Sequence, residues 1–194
     1  MPTLATALGS IGALAEAPRH QLPEIAFAGR SNVGKSSLLT MLTGLKKLAP
    51  VSKSPGRTRR IHFYALAEPR VCLVDLPGHG YAKVSKSFRG KLSALLSDYI
   101  EKRDCLSGIV LLIDARRAEP SPEDIAMVQL SLRYQRHLLI AMTKADKLPK
   151  SKLKPACLAL EKSLGLPSGT VLPVSAQTGF GKKQLWAELR ALIS

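Results

Sequence analysis

The stretch from Gly29 to Ser36 constrains the fold of this chain more than any other part of its sequence. It reads Gly-Arg-Ser-Asn-Val-Gly-Lys-Ser, which is the spacing of a phosphate-binding loop. An apolar run precedes it at residues 24–28, as in a buried strand, and apolar residues at helical spacing follow it as far as Leu45. A strand, a glycine-rich turn and a helix in this order direct backbone N–H groups at phosphate. The alternative is a chance match to the bare pattern, and the flanking segments argue against it.

Each fixed position of this loop has a chemical purpose. Gly29 and Gly34 let the backbone turn tightly and bring its N–H groups inward. Lys35 would reach the β and γ phosphates of a nucleotide, and the Ser36 hydroxyl would ligate Mg²⁺. The other residues expected to line the phosphate site are Arg30, Ser31, Asn32, Val33 and Ser37.

Three further motifs follow, each after an apolar run that predicts a strand. Asp75-Leu76-Pro77-Gly78 carries a carboxylate where nucleotide enzymes hold Mg²⁺ through water. Thr143-Lys144-Ala145-Asp146 and Val174-Ser175-Ala176 come after two later runs. Because ligands of parallel α/β sheets bind at the carboxyl ends of the strands, we expect one pocket to collect these motifs and the phosphate loop.

The alternation of strand-like and helix-like segments predicts the fold class. The fully apolar runs at residues 109–113 and 138–142 are typical of strands buried on both faces of a parallel sheet. Residues 61–67 and 70–75 favour an antiparallel pair. We therefore predict an α/β, three-layer fold, with a mostly parallel six-stranded sheet, one antiparallel strand and helices on both faces. Residues 1–22 would form an N-terminal extension, and residues 23–194 a single domain.

The charge balance limits the partners of this chain. Lysine and arginine number 29 against 14 acidic residues, which gives a formal net charge of +15. Such an excess attracts polyanions, and nucleic acid is the commonest polyanion in the cytoplasm. The alternative is a soluble protein that is merely basic. Aromatic residues make up 5% of the chain without an RNP-like or zinc-finger pattern, so we expect contacts to the nucleic-acid backbone rather than base stacking.

The apolar segments and the cysteines indicate the compartment. No run approaches the roughly 18 apolar residues of a membrane span, so no membrane association is expected. The N-terminus carries no basic residue before Arg19 and lacks the charged front of a signal peptide, which predicts a cytoplasmic protein. Cys72, Cys105 and Cys157 are far apart in sequence and are predicted to be free thiols.

Taken in order, these motifs resemble those of the translation-factor-related class of P-loop GTPases. Residues 143–146 are similar to the element that reads guanine, in which a carboxylate accepts hydrogen bonds from N1–H and the N2 amino group. Adenine offers no such pair of donors, so ATP would leave the acceptor unpaired. Ser175-Ala176 resembles the loop whose backbone meets the guanine O6.

A narrower resemblance extends from about Leu22 to the end of the chain. The segments that carry it are similar to those of the EngB (YihA/YsxC) family of bacterial ribosome-biogenesis GTP-binding proteins. They are residues 26–38, Pro55-Gly56-Arg57-Thr58, residues 75–82 and residues 143–148. The resemblance implies a Mg²⁺-dependent GTPase that assists assembly of the large ribosomal subunit, contacts rRNA and is needed for normal cell division and septation. A cytoplasmic monomer that does not bind DNA is the expected form.

The resemblance also assigns roles to individual residues. The nucleotide contacts that it implies are Gly29, Arg30, Ser31, Asn32, Val33, Gly34, Lys35, Ser36, Ser37, Gly56, Arg57, Thr58, Asp75, Leu76, Pro77, Gly78, Thr143, Lys144, Ala145, Asp146, Val174, Ser175 and Ala176. The implied Mg²⁺ ligands are Ser36, Thr58 and Asp75, and the implied catalytic residues are Lys35, Thr58, Gly78 and His79. Thr58 would lie on the first switch, Gly78 would sense the γ phosphate through its N–H, and residues 80–89 would form the second switch.

Two of these positions carry open alternatives. His79 stands where the family more usually has an aromatic residue, so it either orients the attacking water or replaces that aromatic residue. Asn32 resembles residues of GTPases that use K⁺ beside the phosphates in place of an arginine finger. With no internal arginine finger evident, turnover without an activator is expected on the order of 10⁻³ to 10⁻⁴ per second.

The switch stretches are also basic, with Lys53, Arg57, Arg59, Arg60, Lys83, Lys86 and Arg89. One hypothesis is that nucleotide state reorganises an rRNA-binding face there. The alternative is that these side chains are solvated loop residues. For the whole chain, the competing functions are an RNA-binding module with incidental hydrolysis and a P-loop phosphotransferase of the nucleoside-kinase kind.

Overall fold

The computed structural model describes residues 5–45, 60–78, 86–117 and 119–193, and only the backbone of residues 86–89. The strands are β1 (Ala5–Ile11), β2 (Glu24–Gly29), β3 (Ile61–Leu66), β4 (Val71–Asp75), β5 (Leu106–Asp114), β6 (His137–Thr143) and β7 (Val171–Pro173). The α-helices are α1 (Lys35–Thr43), α2 (Lys86–Lys102), α3 (Pro122–Arg133), α4 (Lys150–Leu164) and α5 (Lys182–Ala191). Short 3₁₀ turns occupy Leu14–Glu16 and Ala145–Lys147.

The strands form one seven-stranded sheet in the order β1-β3-β4-β2-β5-β6-β7. Strand β3 runs antiparallel to β1 and β4, and the other neighbouring pairs are parallel. This arrangement confirms the predicted α/β class with one antiparallel strand. The predicted number of six strands is wrong, because β1 adds a seventh at the edge.

Strand β1 comes from residues that the sequence reasoning placed in an extension before the domain. It pairs with β3 from Ala5 opposite Leu66 to Ile11 opposite Ile61, with an irregularity between Ala7 and Gly9. Its sequence, Ala-Thr-Ala-Leu-Gly-Ser-Ile, is rich in small residues and most of its positions are at least partly exposed. Small residues have weak strand propensity, and an exposed edge strand needs no continuous apolar run, so the sequence pattern gave no strand signal there.

Two apolar layers cover the two faces of the sheet. Helices α1 and α5 bury residues such as Leu38 and Leu185 on one face, and α2, α3 and α4 bury Tyr99, Val128 and Leu160 on the other. Alternate residues of the central strands enter the two layers, so β5 is buried at every position except the half-buried Ser107. The predicted placement of helices on both faces is confirmed.

A buried charge fixes the start of β2. Glu24 is 0% exposed, and its carboxylate accepts hydrogen bonds from the Tyr99 hydroxyl at 2.7 Å and from Arg103 Nη2 at 2.7 Å. Burial, and then the neighbouring Glu24 charge, raises the pKa of Tyr99 well above its ordinary value, so the phenol stays protonated as a donor. Losing one partner of such a buried pair typically costs about 3–5 kcal/mol. The pair therefore anchors the strand that leads into the phosphate loop.

A capping box fixes the start of α3. Ser121 caps α3 by accepting the Asp124 N–H, while the Asp124 carboxylate accepts the Ser121 N–H at 2.9 Å in a reciprocal capping box. The three cysteines are free thiols, as predicted. Among the described residues, no helix combines the length and apolar character needed to cross a bilayer.

Candidate nucleotide-binding site

The phosphate loop joins β2 to α1 with the geometry that its glycines allow. A Cβ added at Gly29 would lie 3.0 Å from the Leu112 carbonyl oxygen and from Val33 Cγ1. Gly34 is the N-cap of α1. Its φ of +105° is a backbone conformation that residues with a side chain rarely adopt. The first turn of α1, with Lys35 and Ser36, thus points its N–H groups into the loop.

The second motif lies directly against this loop. Lys35 Nζ forms an ion pair with Asp75 Oδ1, and both side chains are largely buried. The Leu76 N–H donates to the Phe27 carbonyl at 3.1 Å, which carries the chain from β4 across the end of β2. A Cβ added at Gly78 would lie 3.3 Å from Ser31 Oγ. The structure therefore places the strand-end carboxylate and Gly78 beside the phosphate loop.

The third motif is bonded to the phosphate loop by two side chains. Thr143 Oγ1 donates to the Val33 carbonyl at 2.6 Å, and Lys144 Nζ donates to the Asn32 carbonyl at 2.7 Å. Both Asn32 and Lys144 have positive φ, +62° and +57°. The backbone of the loop is thus held in an uncommon conformation by the segment that follows β6.

Asp146 is oriented by the fourth motif. Ser175 is fully buried, and its Oγ donates to Asp146 Oδ1 at 2.6 Å while accepting the Thr178 N–H at 3.2 Å. The Ser175 hydrogen bond, followed by that of Lys147, lowers the pKa of Asp146, so the group is a charged acceptor at neutral pH. Sequence reasoning gave Ser175 a backbone role and missed this side-chain contact.

A cavity of about 400 Å³ lies between the start of α1 and the loops after β6 and β7. The residues that line it are Gly34, Ser37, Leu38, Thr143, Lys144, Asp146, Lys147, Val174, Ala176 and Gln177. Most of them belong to three of the motifs singled out in the sequence. Leu38, Lys147 and Gln177 were not predicted as site residues, although each directly follows one that was.

Asp114, at the end of β5, is a second carboxylate that sequence reasoning left without a role. It pairs with Lys144 Nζ at 2.9 Å and with Arg116 Nη2 at 2.7 Å. Burial would raise the pKa of Asp114, but the hydrogen bonds from Arg116 and Lys144 outweigh it and hold that pKa well below its usual range. Asp114 is therefore ionised at physiological pH.

Some predicted site residues lie outside the described residues. They are Gly56, Arg57, Thr58 and His79, together with the basic switch residues Lys53, Arg59 and Lys83. The side chains of Lys86 and Arg89 are likewise not described. Their assigned roles stay predictions.

Comparison with known proteins identifies relatives of this chain. Residues 24–144 match the family model described as 50S ribosome-binding GTPase. A probable GTP-binding protein EngB of Anaeromyxobacter dehalogenans is 47% identical over 185 residues, which cover 91% of this chain and 85% of the relative. The protein of the same name from Lacticaseibacillus casei is 44% identical over 91% of this chain and 89% of the relative.

Two solved structures are similar in fold to this chain. The crystal structure of a probable GTP-binding protein engB matches with a TM-score of 0.74 and 26% identity, over 88% of this chain and 98% of that one. Era of Aquifex aeolicus, in complex with GDP and AlF₄⁻, matches with a TM-score of 0.70 and 23% identity, over 90% of this chain and 58% of that one. The similarity to Era shows the fold alone.

Proposed function

Because this chain belongs to the EngB family of GTP-binding proteins, which are P-loop GTPases, we propose that it uses GTP binding and hydrolysis to time its action in assembly of the large ribosomal subunit. The matched family model is described as a 50S ribosome-binding GTPase, which supports this choice of partner. The formal charge of +15 supports an rRNA contact. A role in cell division and septation, and a cytoplasmic location, are part of the same proposal.

The observation that carries the nucleotide part is the direct bonding of the base-reading segment to the phosphate loop. In the proposed complex, the guanine lies in the 400 Å³ cavity and presents N1–H and the N2 amino group to Asp146. The phosphates lie against the loop N–H groups and the start of α1. The contacts of Thr143 and Lys144 with the loop carbonyls fix the distance between these two subsites.

Lys35 changes partner when the phosphates bind. Its ammonium pairs with Asp75 in the structure, and the β and γ phosphates bring several anionic oxygens to the same loop. Lys35 then neutralises charge on the transferring phosphoryl group, and Gly78, beside Ser31, offers its N–H at the γ position. Hydrolysis without an activator is proposed to be slow, because no arginine finger was evident in the sequence.

The donor set suits Mg²⁺. The Ser36 hydroxyl lies in the first turn of α1, and the Asp75 carboxylate reaches the same loop through Lys35. Hydroxyl and carboxylate oxygens are the hard ligands that Mg²⁺ prefers, and Asp75 becomes available when Lys35 turns to phosphate. Thr58 is the proposed third ligand. When bound, Mg²⁺ would neutralise charge on the β and γ oxygens.

K⁺ is proposed to bind beside Asn32, which is an exposed residue of the loop. Phosphate release that is faster in K⁺ than in Na⁺ is expected, and equal rates would contradict this part of the proposal.

The proposed RNA contact has support from exposed lysines near the base-reading loops. Lys147, Lys150, Lys152 and Lys154 are exposed on the turn after β6 and the first half of α4. Lys182 and Lys183 are exposed at the start of α5. Clusters of exposed lysines attract RNA phosphates. These lysines extend the basic character of the switch stretches to the described surface.

Co-sedimentation with separated ribosomal subunits tests the proposed function. We expect binding to the large subunit in a GTP analogue, weaker binding in GDP, and little binding to the small subunit. A salt series gives the number of phosphate contacts, since the logarithm of affinity falls by about 0.7–0.9 per contact for each logarithmic unit of salt. Equal binding to both subunits and to bulk RNA, independent of nucleotide, would indicate nonspecific electrostatic binding to RNA and contradict the proposal.

A further inference from the structure

We propose that Asp114 is a positioning residue for nucleotide binding, which holds the Lys144 ammonium on the phosphate loop and thereby couples the base-reading segment to that loop. The inference rests on the proposed nucleotide site and adds a residue outside its four motifs. It is carried by the chain of contacts from Arg116 through Asp114 and Lys144 to Asn32.

Lys144 is held between an anion and a carbonyl. Its Nζ lies 2.9 Å from Asp114 Oδ2 and donates to the Asn32 carbonyl at 2.7 Å. The side chain of Asp114 is 10% exposed and that of Lys144 is 29% exposed, so solvent screens this pair less than a surface ion pair. The ammonium is thus fixed at the crossing of three elements, namely the end of β5, the end of β6 and the phosphate loop.

Arg116 fixes the carboxylate from the other side. Its Nε donates to Asp114 Oδ1 at 2.9 Å and its Nη2 to Oδ2 at 2.7 Å, which is a bidentate pair. The Arg116 backbone N–H also donates to Oδ1 at 3.0 Å. The Arg116 side chain is 56% exposed, so its main effect is to set the orientation of the carboxylate that faces Lys144.

The loop needs such a restraint because Asn32 is left-handed at φ +62°. Residues other than glycine adopt that region infrequently, and the hydrogen bond from Lys144 to the Asn32 carbonyl stabilises it here. Without the Asp114 charge, the Arg116 guanidinium and the Lys144 ammonium would face each other beside the base cavity. Lys144 would then turn toward solvent, and the loop N–H groups would lose their fixed orientation toward phosphate.

Asp114→Asn tests the proposal because it removes the charge and keeps the volume. We expect a fluorescent GDP analogue to dissociate at least about tenfold faster, since the phosphate loop loses the restraint that Lys144 supplies. The matched control is Asp98→Asn on the exposed face of α2, where Asp98 Oδ1 pairs with Lys102 Nζ at 2.6 Å. That variant should release GDP at the wild-type rate.

A double-mutant cycle separates positioning from a general structural effect. In a Lys144→Met background, Asp114→Asn should change GDP release by less than about twofold, because the group it acts through is already gone. Full additivity of the two changes would overturn the proposal, as would wild-type release by Asp114→Asn alone.

A further variant and the wild type complete the design. If Asp114→Asn does not fold, Asp114→Glu replaces it, because this variant keeps the charge but displaces it by one methylene. It should also release GDP at least about tenfold faster, and release at the wild-type rate would overturn the proposal. Failure of the wild-type chain to bind GDP would instead contradict the proposed nucleotide site itself.

Discussion

Replacing Asp146 with asparagine is expected to lower the affinity for GDP and GTP by about 10³-fold and to open the site to xanthine nucleotides. The carboxylate of Asp146 is ionised and accepts hydrogen bonds only, with Oδ1 oriented by Ser175. An asparagine places an NH₂ donor where one acceptor stood, and that donor would face the N2 amino group of guanine. Xanthine carries a carbonyl at the same position, so its pairing with asparagine is complete.

Competition against a fluorescent GDP analogue measures this change, with GDP, XDP and ADP as competitors. Asp104→Asn, on an exposed carboxylate outside the cavity, is the matched control and should keep the wild-type order of affinities. Unchanged GDP affinity in Asp146→Asn would mean that the base does not lie against this carboxylate.

Replacing Lys35 with alanine is expected to slow phosphate release at saturating GTP by about 10²- to 10³-fold, because a preorganised cation is lost where charge develops. Affinity for GTP should also fall, since the phosphates lose a charge-assisted contact. Asp75 is left without its ion-pair partner at 14% exposure, so the nucleotide-free chain should melt at a lower temperature as well.

Single-turnover phosphate release and thermal melting together check this prediction. Lys91→Ala, on an exposed position of α2, removes a lysine of the same chain away from the loop. It should leave the rate of phosphate release unchanged. Wild-type hydrolysis by Lys35→Ala would contradict the placement of the β and γ phosphates at the start of α1.

The phosphate loop and the segments that line the cavity with it could be predicted from the sequence because their geometry is local. Two glycines at fixed spacing specify the turn between β2 and α1, and a strand end specifies where the next residues point. The apolar runs of β5 and β6 likewise predicted strands that are buried on both faces of the sheet. Spacing along the chain therefore predicted the fold class and most of the residues that line the cavity.

Contacts between distant segments could not be read in this way. Glu24 stood in an apolar run, and nothing near it in sequence indicates its pairing with Arg103. Asp114 and Lys144 meet only because β5 and β6 are parallel neighbours, with Asp114 opposite Thr143. Strand β1 follows the same logic, since its small residues form a strand only when β3 supplies the pairing partner.

Calorimetric titration of the wild-type chain with GDP and with ADP, in Mg²⁺, tests the guanine specificity of the site most directly. One binding site per chain is predicted, with GDP bound at least about 10³-fold more tightly than ADP, because only guanine pairs with the Asp146 carboxylate. Equal affinity for the two nucleotides, or no binding of GDP, would contradict the assignment of the cavity between α1 and the loops after β6 and β7 as a guanine site.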